Sequence, residues 1–310
     1  MTMNPLASID IGSNTIRMVI MELNREGSPS ATLSKRAIVR LGEGMDVVKR
    51  ILPHRMDQAI EVLRGFLEIC RKRNDLGVRA VATSAVREAE NRNEFLERVR
   101  LETGLTIDII PWEEEARLTQ KGVFWKIQPV AKRTLIFDIG GGSTEFILSD
   151  GSNVLGSFGT LLGVVRLTER FISRHPTDAA EYSALKSYLR NELARVKKAL
   201  PLELPEEIIG TSGTVTTLSA IYQNVFPYSL EKIHGSILQL PAIQSIQENL
   251  KKKSLAERLE IKCLERGRED LIISGAAIVL ETLDTFGLSE LKVSEYGLRE
   301  GVIIDQWRQK

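Results

Sequence analysis

Ser8-Ile9-Asp10-Ile11-Gly12-Ser13-Asn14-Thr15-Ile16-Arg17 and Ile136-Phe137-Asp138-Ile139-Gly140-Gly141-Gly142-Ser143-Thr144-Glu145 are two copies of one pattern. In each, an apolar run ends at Asp-Ile-Gly, a small polar turn follows, and a second apolar stretch returns. A strand, a tight turn of Gly, Ser and Asn, and a returning strand make a hairpin whose tip can offer backbone N–H groups to an anion. Two such hairpins, each with one carboxylate, can hold opposite sides of a phosphate chain and its metal. Phosphoryl chemistry is therefore the leading expectation.

Working outward, Ala7 to Ile11, Thr15 to Leu23 and Thr32 to Leu41 read as strands, the last following a turn over Arg25 to Pro29. Met56, Ile60, Leu63, Leu67 and Cys70 recur at helical spacing and predict an amphipathic helix over 55–73. A strand at 78–83, a helix at 93–103, a strand at 106–110 and a helix at 113–125 follow, which suggests an α/β layer with a mixed sheet. The order then restarts. Strands at 134–137, 145–148 and 153–158 mirror the opening three, and helices at 164–172 and 179–199 come next. Glu207 to Gly210 is a strand tip opening into Thr211-Ser212-Gly213-Thr214 and a helix to about Tyr222. The run 270–286 is apolar on more than one face and reads as a covered core helix. The repeated openings imply a pseudo-duplicated chain, divided as 1–125 and 126–310 with a polar hinge from Lys126 to Arg133. The terminal helix is open to packing back on the first domain, and a ligand is expected in the cleft between the halves.

Bulk properties narrow the class. At 310 residues, 43% hydrophobic and 27% charged, the chain suits a two-domain globular protein. A net charge of +1 gives no broad field for a polyanion, so attraction must be local, with Arg17, Arg92, Arg166 and Lys197 as candidates. Cys70 and Cys263 each sit alone in a helical pattern, and His54, His175 and His234 are scattered, which argues against zinc. Neither a signal peptide nor an apolar stretch of bilayer length is evident, so a cytoplasmic address is expected.

On their own residues, several sites stay open. Asp10 and Asp138 could be simple turn formers, yet two registered copies make that account insufficient. Gly140, Gly141, Gly142 and Ser143 allow close backbone approach to phosphate, and Ser13 and Asn14 are placed to do the same in the first copy. Thr211, Ser212 and Gly213 combine a strand tip with a helix N-terminus, which serves an anion or an ordinary N-cap equally well. None of these loops carries the Gly-Lys-Ser/Thr of a P-loop. Glu145 alternates with Phe146 and is expected on the face away from the apolar layer.

The chain resembles the exopolyphosphatase and guanosine pentaphosphate phosphohydrolase (Ppx/GppA) family. The pieces that carry the resemblance are Asp10-Ile-Gly-Ser-Asn-Thr-Ile-Arg17, Ala82-Thr-Ser-Ala-Val-Arg-Glu88, Glu114-Glu-Ala-Arg-Leu118 and Phe137-Asp-Ile-Gly-Gly-Gly-Ser-Thr-Glu145. They continue with Gly210-Thr-Ser-Gly-Thr214, Ser274-Gly-Ala-Ala277 and Glu295-Tyr-Gly-Leu-Arg-Glu-Gly301, in the family's order. The resemblance implies an α/β fold of two similar ribonuclease H-like domains, as in actin, sugar kinases and chaperone ATPases, with an interdomain cleft. It implies hydrolysis of the terminal phosphoanhydride of inorganic polyphosphate, a need for Mg²⁺ with Mn²⁺ as a substitute, and the short two-domain form.

Glu115 matches the family's catalytic base, although a Glu-Glu-Glu run read alone is a favourable charge at a helix start. Arg87 matches the phosphate-binding arginine, with Arg17 a further helper. Asp138, Glu145 and Asp10 are the implied metal carboxylates. The expected partners are polyphosphate or guanosine pentaphosphate, with no nucleic acid and no membrane, and a homodimer is left open. Guanosine pentaphosphate hydrolysis is the close alternative. A small-molecule kinase and an actin-like nucleotide switch are the more distant ones.

Overall fold

The first copy of the pattern forms β1 (Leu6–Ile11) and β2 (Thr15–Leu23), antiparallel with Asp10 opposite Arg17. The computed structural model of the chain describes residues 4–23, 28–73, 76–151, 153–201 and 204–308. β3 (Pro29–Ile38) continues the antiparallel edge, and β4 (Gly77–Ala82) and β5 (Ile107–Ile109) add parallel strands, giving the order β3-β2-β1-β4-β5. The second copy forms β6 (Thr134–Ile139) and β7 (Thr144–Ser149), followed by β8 (Val154–Thr160), β9 (Glu207–Thr211), β10 (Ile237–Gln239) and β11 (Glu290–Ser294). Its sheet order is β10-β11-β9-β6-β7-β8. With the antiparallel edge strand β10 set aside, the two sheets share one topology: a three-strand meander and two parallel additions beside its first strand. This is the mixed α/β arrangement that the element order suggested, in the ribonuclease H-like form that the resemblance implied.

The chain divides into two compact units, one running to Gly122 and resuming at Leu298, the other spanning Val123–Gly297. The division expected at 125/126 therefore shifts, and the terminal helix Leu298–Arg308 is counted with the first unit. In the first unit, β1 and β2 pack against the helix Pro53–Arg71, which buries Met56, Ala59, Ile60, Leu63, Phe66, Leu67 and Cys70 along one stripe. In the second, the helix Ala179–Ala199 turns Leu185, Leu189, Leu193 and Val196 inward against the almost wholly buried helix Ile272–Phe286. Asp178 starts the former by accepting the N–H groups of Ala180 and Glu181, and Gly287 at φ 71° ends the latter. No helix among the described residues is long and apolar enough to cross a membrane.

Several expectations need correction. β3 ends at Ile38, because the N–H groups of Val39 and Arg40 leave the ladder and both bond the Asn14 carbonyl at the hairpin tip. Residues 84–88, between the expected strand at 78–83 and helix at 93–103, form a short helix. Cys263 lies in turns rather than a helix. β10 ends at Gln239, and Leu240 opens the next helix with Pro241 behind it. The Arg25–Gly27 part of the expected turn lies outside the described residues.

The terminal helix holds the helix Trp112–Val123, which carries the expected base. A Cβ on Gly301 would lie 1.8 Å from the Leu118 carbonyl oxygen, so the two helices meet backbone to backbone and only glycine fits. Beside this contact the buried Asp305 carboxylate accepts from Arg117 at 2.6 and 3.0 Å and from Lys121 at 2.5 Å. Hydrogen bonding from Arg117, then from Lys121, holds that carboxyl well below the usual carboxylate range. A depressed acid stabilises the fold above its unfolded-state pKa, and the contribution is lost as pH falls through the folded value. Asp305→Asn should therefore lower stability by about 2 kcal/mol near neutral pH. In paired thermal melts the deficit should persist at pH 5 and narrow only in strong acid.

Candidate active site

Both hairpins close in the same way. Gly12 N–H donates to the Thr15 carbonyl at 3.2 Å and Gly140 N–H to the Ser143 carbonyl at 2.8 Å, each turn enclosing two residues. A Cβ on either glycine would press on that same carbonyl, at 3.1 and 3.2 Å respectively. What differs is how the tip is held from behind. In the second unit the carbonyls of Gly140 and Gly141 accept the N–H groups of Val164 and Val165, at 3.1 and 2.8 Å, from the first turn of the helix Val164–Phe171. The carbonyl of Gly142 accepts Nε of the buried Arg166 at 3.1 Å. In a trans peptide the carbonyl and the following N–H point in opposite directions. Three carbonyls drawn to one helix start therefore turn the N–H groups of Gly141, Gly142 and Ser143 the other way, as a row of donors that an anion could meet.

That geometry depends on Gly163, which carries no signal of its own in the sequence. A Cβ there would lie 2.2–2.3 Å from the backbone of Gly141 and Gly142, inside any tolerable contact. Arg166, expected as a groove cation, serves instead as the donor that orients the Gly142 peptide; burial pulls its pKa down. Lys197 donates to the Thr285 carbonyl at 2.7 Å, and Arg92 to that of Arg87 at 3.1 Å.

Beside the loop, strand register lines up a polar row. Glu145 on β7 lies opposite Asp138 on β6, which lies beside Thr211 on β9. Directly paired residues point to the same face, so the two carboxylates are neighbours. Glu145, expected on the face away from the apolar layer, is 3% exposed, and every residue of β7 is buried, so both faces of the strand are covered. Like charges directly opposite one another are unfavourable unless a cation or proton lies between them. Mg²⁺ is commonly bound by one or two carboxylates, with phosphate oxygens and water completing its shell, so this pair fits it. Among the described residues no group of three or more His, Cys, Asp or Glu side chains is gathered as a metal cage. Asp10 belongs to the first unit, where the equivalent cross-strand partner is Arg17. Burial raises the Asp10 pKa against the pull of Arg17 and Arg299.

At the third loop the hydroxyl groups are engaged locally. Ser212 Oγ accepts from Thr214 and Val215 N–H at 3.1 and 3.2 Å as an N-cap, and Thr211 Oγ1 donates to the Tyr296 carbonyl at 3.2 Å. The Arg268 guanidinium, absent from the candidates that the sequence offers, lies against the Cα of Gly213.

In the first unit the expected base and arginine are in contact. Glu115 is 5% exposed on the first turn of its helix, and its Oε2 accepts Arg87 Nη1 at 2.9 Å. The same Nη1 donates to the Ile110 carbonyl at 2.9 Å, just beyond β5. The Trp112 ring stacks on the guanidinium, with Cζ 3.9 Å from the ring centroid. Arg87 Nε and Nη2 are buried and have no hydrogen-bond partner among the described residues. Ser13 Oγ accepts the Ala85 N–H at 3.1 Å, which ties the hairpin tip to the short helix carrying Arg87. Asn14 is buried beside it, its Nδ2 on Thr15 Oγ1 at 3.4 Å. A carboxylate fixed by an arginine, together with unsatisfied guanidinium donors, can hold an oxyanion near a base.

Duplicated hairpin units, a glycine loop with a row of N–H donors and an Arg–Glu pair define a protein built to handle phosphoryl groups. The chain belongs to the Ppx/GppA phosphatase family, whose model matches residues 19–310. It is 30% identical to Exopolyphosphatase 2 of Mycobacterium tuberculosis, over 98% of this chain and 99% of that protein. An exopolyphosphatase crystal structure from Cytophaga hutchinsonii superposes with a TM-score of 0.92 at 27% identity, covering 98% of each chain. The Aquifex aeolicus member of the Ppx/GppA family superposes at 0.84 with 34% identity, covering 99% of this chain and 98% of that one.

Gly163→Ala should displace the Gly141–Gly142 backbone while leaving the hydrophobic core intact. The expected outcome is roughly 10²-fold weaker turnover of a phosphoanhydride substrate, the usual scale for a misplacement near 1 Å. Phosphate release, measured beside an unchanged far-ultraviolet circular dichroism spectrum, checks it.

Proposed function

We propose that this chain is an exopolyphosphatase that hydrolyses the terminal phosphoanhydride of inorganic polyphosphate. The observation that carries the reading is the Arg87–Glu115 pair, which places a buried carboxylate beside a guanidinium with unused donors. The full-length likeness to proteins named exopolyphosphatase supports polyphosphate as substrate. In this reading Arg87, beside Glu115, binds nonbridging oxygens, where charge is concentrated in phosphoryl transfer, and the N–H row of Gly141, Gly142 and Ser143 is a phosphate-binding loop of the second unit. Glu115 orients a water in line and takes its proton as the water oxygen bonds to the terminal phosphorus. The bridging P–O bond breaks with its electron pair on the shortened chain, and orthophosphate leaves. Asp138 and Glu145 are the residues proposed to hold Mg²⁺, which when bound neutralises charge on the phosphate oxygens.

Guanosine pentaphosphate presents the same terminal bond, and the family name covers both activities. We place it second, because the full-length relatives reported above carry the polyphosphate name.

Glu115→Gln keeps the size of the side chain and an acceptor for Arg87. It should lower turnover of polyphosphate by about 10²-fold or more while leaving binding in place. Parent-like turnover at saturating substrate and metal would remove Glu115 as base. Asp138→Asn removes one charged oxygen from the proposed metal pair, so a Mg²⁺ titration should need a clearly higher concentration for half-activity. A titration curve that overlays the parent would take Asp138 out of the metal shell.

A further inference from the structure

Trp112 lies three residues before Glu115 on the same helix, and neither the motifs nor the mechanism above makes use of it. Its ring covers one face of the Arg87 guanidinium at 3.9 Å. Both contacts of Arg87 Nη1, to Ile110 O and Glu115 Oε2 at 2.9 Å, are made at one edge of the guanidinium. Nε and Nη2, which remain buried and unsatisfied among the described residues, form the other side. The N–H bonds of Nε and the adjacent Nη2 run parallel, as a two-donor fork that matches two oxygens of one phosphoryl group.

We propose that Trp112 is a positioning residue that aims this fork at the substrate phosphoryl group, an inference that rests on the phosphohydrolase reading of the same site. The Nη1 contacts fix rotation of the guanidinium within its plane but leave the plane free to tilt about that edge. The stacked indole removes the tilt. Positions 112 and 115 are one helical turn apart on one face, so the group that sets the plane and the base that needs the oxyanion nearby move as one body. The ring also keeps water from one face of the cation, which strengthens the cation–π contact. A lysine at 87 could keep neither the fork nor the stack.

Trp112→Phe retains an aromatic face, whereas Trp112→Leu comes near phenylalanine in size without one. The test compares parent, Phe and Leu proteins in kcat/KM for short-chain polyphosphate. It also measures calorimetric affinity for imidodiphosphate, whose P–N–P bridge resists hydrolysis, with Mg²⁺ present throughout. The Leu protein should lose about tenfold in both, and the Phe protein should recover to within about threefold of the parent. Melting temperatures should be equal for the two variants. Equal kcat/KM and affinity for Phe and Leu would overturn the proposal, because bulk alone would then suffice. Should the parent release no phosphate from polyphosphate, the functional reading fails. The imidodiphosphate affinities then decide the positioning role alone: parent and Phe above Leu supports it, and three equal values overturn it.

Discussion

In a trans peptide the carbonyl and the next N–H point apart, so anchoring a run of carbonyls decides where the following N–H groups aim. In the second unit that anchor is the start of the helix Val164–Phe171, which takes the carbonyls of Gly140 and Gly141, while Arg166 takes that of Gly142. The anchor exists because Gly163 lets the helix entry touch the loop backbone. The glycines supply little directed chemistry themselves; their use is to let two backbones approach so that a third group, the ligand, can be met by N–H donors. The first unit closes its hairpin with the same hydrogen bond but anchors it differently. Gly42 takes the Ser13 carbonyl, and Val39 and Arg40 share that of Asn14.

Duplication of the fold has not duplicated the electrostatics. The position opposite the hairpin aspartate is Arg17 in the first unit and Glu145 in the second. One register thus sets an arginine across from the hairpin aspartate in one unit and a second carboxylate, a pair suited to a cation, in the other. Glu115 also belongs to the first unit, on the helix that Gly301 and Asp305 lock to the terminal helix, and Arg87 reaches it from the short helix Ser84–Glu88. The terminal helix therefore supports the helix that carries Glu115 from a distance of more than 180 residues in sequence.

Much of this is legible in the amino-acid sequence. Asp-Ile-Gly followed by small residues marks a hairpin because local turn chemistry alone dictates it, and both copies fold as read. The stripe on the helix Pro53–Arg71 is equally plain, since helical periodicity persists over five turns. What the sequence hides depends on tertiary approach. Nothing local distinguishes Gly163 from a glycine in an ordinary loop; only the backbone of Gly141 and Gly142 against it does. The helix Ser84–Glu88 is too short to show a period. Alternation puts Glu145 on the face of β7 away from Phe146 but does not tell that this face is buried too. Trp112 reads as part of a charged helix start, because its partner Arg87 is 25 residues away.

Substrate choice is the most direct test of the whole account, since fold and site alike would serve either phosphoanhydride. The deciding measurement is kcat/KM for short polyphosphate, long polyphosphate and guanosine pentaphosphate, taken side by side at one ionic strength with Mg²⁺. Local rather than global attraction predicts that both polyphosphates exceed the nucleotide, and that rising chain length helps only over the first several phosphates. A kcat/KM for guanosine pentaphosphate above that of both chains would contradict the exopolyphosphatase assignment.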